Sequence, residues 1–239
     1  MSERSEIKFT RLDSIPSHIE AFAKELADHF KVRRPYVADY CKLIMTSKRW
    51  GIQNLNQHLL RWKSMFERIE GRRKIIDIVS RAFLSCTTQD EVAKLRGVMV
   101  EALIIGCNGG AQVLSNSKYG WGALVEIHNQ NQPVHEVKYS CNNPIDHNCH
   151  RRSTVDFGFW NGRHGKFYEC KAQPAGIGCK EVNYMKKLKD DLNTKDISHE
   201  IFFVCAERRE EIEIKLKTFE LSPLYQPFGI EDIRTEMPA

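Results

Sequence analysis

The hydrophobic pattern of this sequence changes near Cys86, and that change constrains the fold class. Between residues 14 and 86, apolar side chains such as Leu26 and Phe30 recur at the spacing of one helix face. Beyond residue 89, one more helical pattern is followed by alternating and short continuous apolar runs, which are typical of strands. The order helix, three or four strands, helix, strand predicts an α/β fold. A helical N-terminal region would precede a domain with a central mixed sheet flanked by helices.

We predict a boundary near residue 87, with a basic helical region over 1–87 and an α/β domain over 88–239. Residues 1–90 contain 17 lysines and arginines against 11 aspartates and glutamates, an excess of six positive charges. This positive charge is compatible with a polyanionic partner such as nucleic acid. The alternative interpretation is that the charges lie on helix surfaces that face water. Two capping boxes, Ser17 with Glu20 and Thr88 with Glu91, predict helix starts.

Cellular location follows from composition. The sequence has no apolar run near the roughly 20 residues that a bilayer span requires, and its first residues form no apolar signal segment. Its 8 cysteines are irregularly spaced, unlike a secreted disulfide framework. The expectation is a cytoplasmic protein that contacts no membrane.

The stretch from Ser153 to Lys171 concentrates charged side chains in a predicted hairpin. Because side chains alternate along a strand, Glu169 and Lys171 share one face. A four-residue loop over 161–164 would place Asp156 directly opposite Glu169, and a two-residue turn would still keep Asp156 on that face. A three-residue loop would not.

Packing alone explains such a group poorly. Paired carboxylates repel unless a cation lies between them, and Mg²⁺ prefers oxygen ligands. Lys171 could hold or help to deprotonate an attacking water, or stabilise charge that builds on a phosphorane. Glu101, the only charge within Val98–Ile105, would be costly to bury without a partner. These residue types indicate phosphodiester hydrolysis.

A helix bearing Glu101, a strand with Asp156, a strand with Glu169-Cys-Lys171, a basic helix and a further strand resemble the PD-(D/E)xK nuclease superfamily. The resemblance implies a restriction-endonuclease-like fold. It implies that Asp156, Glu169 and the main-chain carbonyl of Cys170 bind Mg²⁺, which Mn²⁺ could replace. Lys171 would then be the catalytic lysine, and Glu101 an accessory metal ligand or water holder.

A second acid-x-Lys triplet competes with this assignment. About two or three such triplets are expected by chance in this composition, and four occur. Glu136-Val-Lys138 is the serious rival, because Glu126 precedes it across a short polar connection. It ranks second, since no helix follows it and a glutamate replaces the expected aspartate.

A Cys/His-rich stretch could bind a structural zinc ion through Cys141, His147, Cys149 and His150. The spacing matches no common zinc finger. A polar loop without metal, or a ββα-metal nuclease site around Asp146 and His147, remain alternatives.

Two basic segments are candidates for phosphate contacts: Arg72, Arg73 and Lys74, and later Lys186 and Lys187. We therefore expect a Mg²⁺-dependent endonuclease that acts on DNA, or on RNA, as an effector in bacterial defence against phage or plasmids. The helical region would dimerise the chain, dock it into a multi-protein complex or grip DNA. The alternative is a non-catalytic nucleic-acid-binding or assembly subunit in which the three charged residues form a structural ion-pair cluster.

Overall fold

The structure is a computed structural model that describes residues 5–32, 36–66, 72–129, 132–141, 151–221 and 223–236. The helices in this part of the chain are α1 (Ser17–Lys31), α2 (Val37–Thr46), α3 (Leu55–Phe66), α4 (Arg73–Leu84), α5 (Gln89–Cys107), α6 (Cys179–Thr194), α7 (Arg209–Lys217) and α8 (Ile230–Glu236). Among these described helices, none combines the length and the apolar composition that crossing a membrane requires. The strands are β1 (Glu6–Arg11), β2 (Tyr119–His128), β3 (His135–Glu136), β4 (Tyr139–Ser140), β5 (Arg151–Arg152), β6 (Val155–Trp160), β7 (His164–Lys171), β8 (Ser198–Cys205) and β9 (Gln226–Phe228).

Seven strands form the central sheet in the order β1-β2-β6-β7-β8-β9, with β3 also paired to β2. Neighbours from β1 to β7 run antiparallel, whereas β7, β8 and β9 run parallel. Helix α6 connects β7 to β8, and α7 lies between β8 and β9, as parallel neighbours require. The α/β class, the mixed sheet flanked by helices and the N-terminal helical region are confirmed.

The two faces of the sheet carry separate hydrophobic cores. On one face, the apolar sides of α1 to α5 pack with Phe157, Tyr168 and Phe202. On the other, α6 and α7 cover Phe167 and Phe203. The alternation of Phe167 and Tyr168 between the two cores shows the strand period that the sequence predicts for β7.

Strand β1 is an element that the sequence analysis did not predict. It pairs with β2 along its whole length, with Ile7 opposite Ile127, and Ile7 is buried. The Phe9 ring lies against Gly120 of β2 and Gly158 of β6, where any β-carbon would clash with it. The N-terminal region therefore contributes a sheet strand as well as helices, and the boundary near residue 87 stays a prediction.

One half of the predicted capping box at Thr88 forms, while the Glu91 side chain accepts from the backbone N–H of Thr87 at 2.6 Å. The Thr88 hydroxyl oxygen accepts a hydrogen bond from the backbone N–H of Glu91 at 3.2 Å and caps α5. The box at Ser17 is wrong: α1 begins at Ser17 itself, after Pro16, with no side-chain cap. Glu20 instead forms a salt bridge with Arg11 at 2.8 Å.

Candidate active site

The hairpin that joins β6 and β7 has the four-residue loop that would place the two acids opposite each other. Trp160 pairs with Gly165 across the loop. Inside it, the Asn161 side-chain oxygen accepts hydrogen bonds from the backbone N–H groups of Arg163 at 2.9 Å and His164 at 2.8 Å. This Asn turn fixes the loop length and, with it, the register of the two strands.

That register brings the predicted carboxylates together. Phe157 pairs with Tyr168, and Asp156 and Glu169 are the next residues along the two strands. Their carboxylates come close enough to contact the same guanidinium nitrogen. Glu169 is fully buried, and Asp156 is 8% exposed. The three-residue alternative, which would have separated them, is excluded by this pairing.

Arg152, on β5, links the two acids and was missed by the sequence analysis. One guanidinium nitrogen lies 2.8 Å from Asp156 Oδ1 and 2.6 Å from Glu169 Oε2. A second nitrogen is 3.8 Å from Oε1 of Glu181 at the start of α6, a further acid that was missed. The guanidinium neutralises repulsion that would otherwise oppose burial of the carboxylates.

Lys171 completes the ion-pair network. Its ammonium contacts Glu169 Oε1 directly and lies 3.8 Å from Asp156 Oδ2 and 3.6 Å from Glu181 Oε1. Burial alone would favour the neutral amine, but the neighbouring carboxylates outweigh that effect and raise the pKa of Lys171 above its ordinary value. The side chain is therefore an ammonium at neutral pH, which favours charge stabilisation over proton abstraction.

Glu101 reaches the same site from α5. The indole Nε1–H of Trp121 donates a hydrogen bond to Glu101 Oε2 at 2.5 Å and orients the carboxyl group. Burial, reinforced by the charge of Asp156, raises the pKa of Glu101 to about 8. The carboxyl is accordingly protonated at neutral pH when no further cation is bound.

The remaining carboxyls differ in their titration. Burial also raises the pKa of Glu169, to about 7, even though Arg152 and Lys171 oppose the shift. The pKa of Asp156 is lowered: burial opposes this direction, but Lys171, Arg152 and the backbone N–H of Cys170, which donates to Oδ2 at 2.6 Å, prevail. Asp156 is therefore ionised at neutral pH.

The formal charge of the cluster bears on metal binding. Four carboxylates, of Glu101, Asp156, Glu169 and Glu181, face the two cations Arg152 and Lys171, which leaves −2 when all are ionised. Oxygen ligands and an excess of two negative charges fit Mg²⁺.

Arg152 and Lys171 stand between these carboxylates. In the part of the chain that the structure describes, no three His, Cys, Asp or Glu side chains are already gathered as a metal cage. Arg152 pairs with Glu169 Oε2 as an ion but not in hydrogen-bonding geometry, so this buried oxygen lacks a hydrogen-bond partner among the described residues. The Cys170 side chain is buried in the core, and the metal-ligand role of its carbonyl stays a prediction.

A cleft of about 390 Å³ opens onto the cluster. Glu101, Asp156 and Lys171 form part of its wall. Basic residues line it as well: Lys48, Lys94 and Arg96. Acids and cations share this wall, and the basic residues would attract the negative charge of a phosphodiester.

The rival triplet lies at the surface. Glu136 of β3 pairs with Glu126 of β2, so the sequence pattern is reproduced in space. The ion-paired side chains of Glu136 and Lys138, however, are 42% and 55% exposed. Water solvates these charges, and they need no metal.

The predicted phosphate contacts on α4 divide into two kinds. Arg72 pairs with Asp39 at 2.5 Å and lies over the ring of Phe66, so its side chain is only 13% exposed and joins two helices. Arg73 and Lys74 are exposed at the start of α4. On geometry, Arg73 and Lys74 are the better candidates.

On α6, the two predicted contacts also differ. Lys186 is exposed, whereas Lys187 is partly buried and forms a salt bridge with Asp191. Only Lys186 presents its charge fully to a ligand.

The zinc prediction falls mainly outside the described residues. Cys141 is described and partly buried, but His147, Cys149 and His150 are not, nor is Asp146 of the alternative nuclease site. Both interpretations stay predictions.

No family model and no curated protein matches this chain. One solved structure is similar in outline, the crystal structure of protein VC1899 from Vibrio cholerae, at 10% sequence identity and a TM-score of 0.42. The match covers 98% of this chain and 57% of that one, so the chain spans little more than half the length of its structural neighbour.

Proposed function

We propose that this protein is a Mg²⁺-dependent nuclease that hydrolyses phosphodiester bonds, with DNA as the principal substrate and RNA as the alternative. The observation that carries the proposal is that Asp156, Lys171 and Glu101 share the wall of an open cleft, with the buried Glu169 in contact with Lys171. Buried ionisable groups with shifted pKa values in a cleft are typical of active sites.

Asp156, Glu169 and the carbonyl of Cys170 would hold the metal ion, with Glu101 as an accessory ligand. When bound there, Mg²⁺ would act as a Lewis acid and make a coordinated water easier to ionise. Binding of the cation would favour ionisation of Glu101, and the ion would then neutralise the formal charge of −2 of the fully ionised cluster.

Lys171 acts as a charged donor. Because its ammonium stays protonated, it stabilises negative charge that builds on the non-bridging phosphate oxygens during hydrolysis. Glu101, oriented by Trp121, holds a water or releases its proton when a divalent cation enters.

Arg152 stabilises the pair of carboxylates at the site. Its guanidinium balances Asp156 and Glu169 and competes with a divalent ion for the same oxygens. Metal binding therefore requires the Arg152 head group to give up part of its contacts with the two carboxylates.

The biological role that we propose is that of an endonuclease effector in bacterial defence against phage or plasmids, in the cytoplasm. The helical region would mediate homodimerisation, association with a multi-protein complex or DNA binding. The basic excess in the first 90 residues supports a nucleic-acid partner.

The test is cleavage of four substrates, supercoiled plasmid, linear duplex, single-stranded DNA and RNA, in Mg²⁺, in Mn²⁺ and in EDTA. Wild-type protein should cleave at least one of them only with metal present. Asp156→Asn and Lys171→Ala should each reduce the rate by about 10²-fold or more.

The second candidate function is a non-catalytic nucleic-acid-binding subunit. It is favoured by the direct pairing of Arg152 and Lys171 with the carboxylates, which could serve as a structural network. Salt-sensitive nucleic-acid binding by the wild type with no cleavage in either metal would support this function and contradict the nuclease.

A further inference from the structure

The helical region contains a second cavity, of about 460 Å³, on the surface formed by α2, α3 and the turn between them. Its wall includes Arg49, Trp50, His58, Arg61 and Trp62. This cavity combines guanidinium and aromatic groups, whereas the candidate active site is built around carboxylates.

Trp62 supplies an unsatisfied donor. The residue is only 5% exposed, and its indole Nε1–H has no hydrogen-bond partner among the described residues. A buried donor without an acceptor is unfavourable, and a native structure normally provides one. Trp62 lines the cavity but its donor is covered, so an exocyclic oxygen or ring nitrogen of a ligand there can accept this hydrogen bond once the neighbouring side chains shift.

The aromatic part of the wall is already stacked. The His58 ring lies parallel to Trp50, with an interplanar angle of 4° and 5.6 Å between ring centroids. Both rings line the cavity, and His58 is partly exposed. A flat heteroaromatic group can extend such a stack.

The charged part of the wall is positive. Arg49 and Arg61 are both exposed, and the described lining residues include no aspartate or glutamate. Two guanidiniums beside a stacking platform match the chemistry of a nucleotide, with phosphate on arginine and base on an aromatic ring.

The cavity adjoins the active-site cleft. Met45 lines both spaces, and the consecutive residues Lys48 and Arg49 line the cleft and the cavity respectively. A strand whose phosphodiester lies in the cleft can therefore place a neighbouring nucleotide in the cavity.

We propose that this cavity binds one unpaired nucleotide of the nucleic acid strand that the protein acts on. Arg49 and Arg61 contact the flanking phosphates, the base stacks on His58, and Trp62 Nε1 donates to the base. The identity of the ligand as a substrate strand rests on the proposed function, whereas the binding of an unpaired nucleotide does not require catalysis.

The experiment measures binding in EDTA, where no cleavage occurs. A fluorescently labelled single strand of about 12 nucleotides and the matching duplex are titrated with the full chain, and anisotropy is recorded. Arg49→Ala and Arg61→Ala should each weaken single-strand binding by about fivefold or more. Arg234→Ala, an exposed arginine on α8 outside the cavity wall, is the charge-matched control and should leave binding unchanged.

Trp62→Phe keeps an aromatic ring but removes the donor. We expect it to weaken single-strand binding by about threefold to tenfold and to leave duplex binding unchanged, because only an unpaired base can enter the cavity. Thermal unfolding of each variant establishes that it is folded. Equal loss on strand and duplex, or wild-type binding by all three cavity variants, would overturn the proposal.

The two proposals fail separately. Unchanged binding by the cavity variants, together with metal-dependent cleavage by the wild type, would contradict nucleotide binding in the cavity and support the nuclease proposal. Loss of single-strand binding in these variants, with no cleavage by the wild type in Mg²⁺ or Mn²⁺, would support nucleotide binding in the cavity and contradict the nuclease proposal.

Discussion

Two acid-x-Lys triplets in this protein have the same spacing and lie in very different surroundings. Glu169 and Lys171 are 0% and 21% exposed, and each meets further charged partners from other elements. Glu136 and Lys138 are 42% and 55% exposed. In both triplets the glutamate lies on a strand and has an acid on the neighbouring strand, so spacing and strand context do not distinguish them.

The difference shows that burial, rather than sequence spacing, gives such a triplet unusual chemistry. At a solvent-exposed ion pair, removal of one partner changes the free energy of unfolding little. In the protein interior, the same pair shifts the pKa values of its partners. Removal of one partner leaves the other as an unpaired buried charge, which destabilises the fold. Variants matched between the two triplets can therefore test this conclusion directly.

The largest expected difference is in catalysis. Glu169→Gln should reduce Mg²⁺-dependent cleavage by about 10²- to 10³-fold, because the site loses a charged ligand. Glu136→Gln should stay within about twofold of the wild type, since it alters a solvated surface charge. Initial rates on plasmid DNA measure both. Similar losses in the two variants would contradict the assignment of the active site.

The next difference is in stability. Arg152→Ala should lower the free energy of unfolding by about 3–5 kcal/mol in EDTA, because it leaves buried carboxylates without their main counter-ion. Lys138→Ala should cost less than about 1 kcal/mol. Urea unfolding followed by circular dichroism gives both values.

Added Mg²⁺ provides the control for Arg152→Ala. If the ion and the guanidinium compete for the same oxygens, Mg²⁺ should stabilise this variant more than it stabilises the wild type. An equal effect of Mg²⁺ on both proteins would show that Arg152 does not occupy the metal position.

The pH dependence of stability should depend on Glu101. Its pKa is about 8 in the folded protein against an ordinary value of 4.5, so between these pH values the folded state keeps a proton that the unfolded state releases. The free energy of unfolding contributed by this group should therefore fall as pH rises from about 4.5 to about 8, and then level off.

Glu101→Gln should remove this part of the slope and raise the melting temperature at pH 8 relative to the wild type. Glu136→Gln, which leaves Glu101 intact, should keep the wild-type dependence. Thermal unfolding at several pH values in EDTA makes the comparison. A Glu101→Gln protein with the wild-type slope would show that another group carries the titration.

The smallest effect concerns salt. A double-mutant cycle on Glu136 and Lys138 should give a coupling energy below about 1 kcal/mol that vanishes near 1 M NaCl, where the Debye length is about 3 Å. The cycle on Glu169 and Lys171 should retain its coupling, since mobile ions do not reach the buried pair. Loss of both couplings in salt would mean that the active-site pair is open to solvent.

The hairpin of the site could be predicted from the sequence because its determinants are local. An Asn-Gly loop, alternation along two adjacent strands and the acid-x-Lys spacing all lie between Asp156 and Lys171. Each rule acts over a few residues, and together they leave only a small number of registers.

Arg152 and Glu181 were missed because their roles depend on tertiary structure. The reach of Arg152 across two strands, and the position of Glu181 at the start of α6, follow only from the packing of α6 on the sheet. One local signal was present, since Arg152 stands four residues before a buried acid. The carboxylates of the predicted site also outnumber its one predicted cation, Lys171, so their burial would have required a second cation.

Strand β1 was missed for a different reason. Ile7 and Phe9 alternate with Lys8 and Thr10, which is a weak strand signal in a short segment. Its partner strand lies more than 100 residues later, so no local rule connects the two.

The pairing of β1 with β2 also has a consequence for synthesis of the chain. Ile7 meets Ile127, so the first strand leaves the ribosome about 120 residues ahead of its partner. At elongation rates of about 5–20 residues per second, this delay is on the order of ten seconds. During that interval α1 to α4 can already assemble, but β1 has no strand to pair with until β2 emerges.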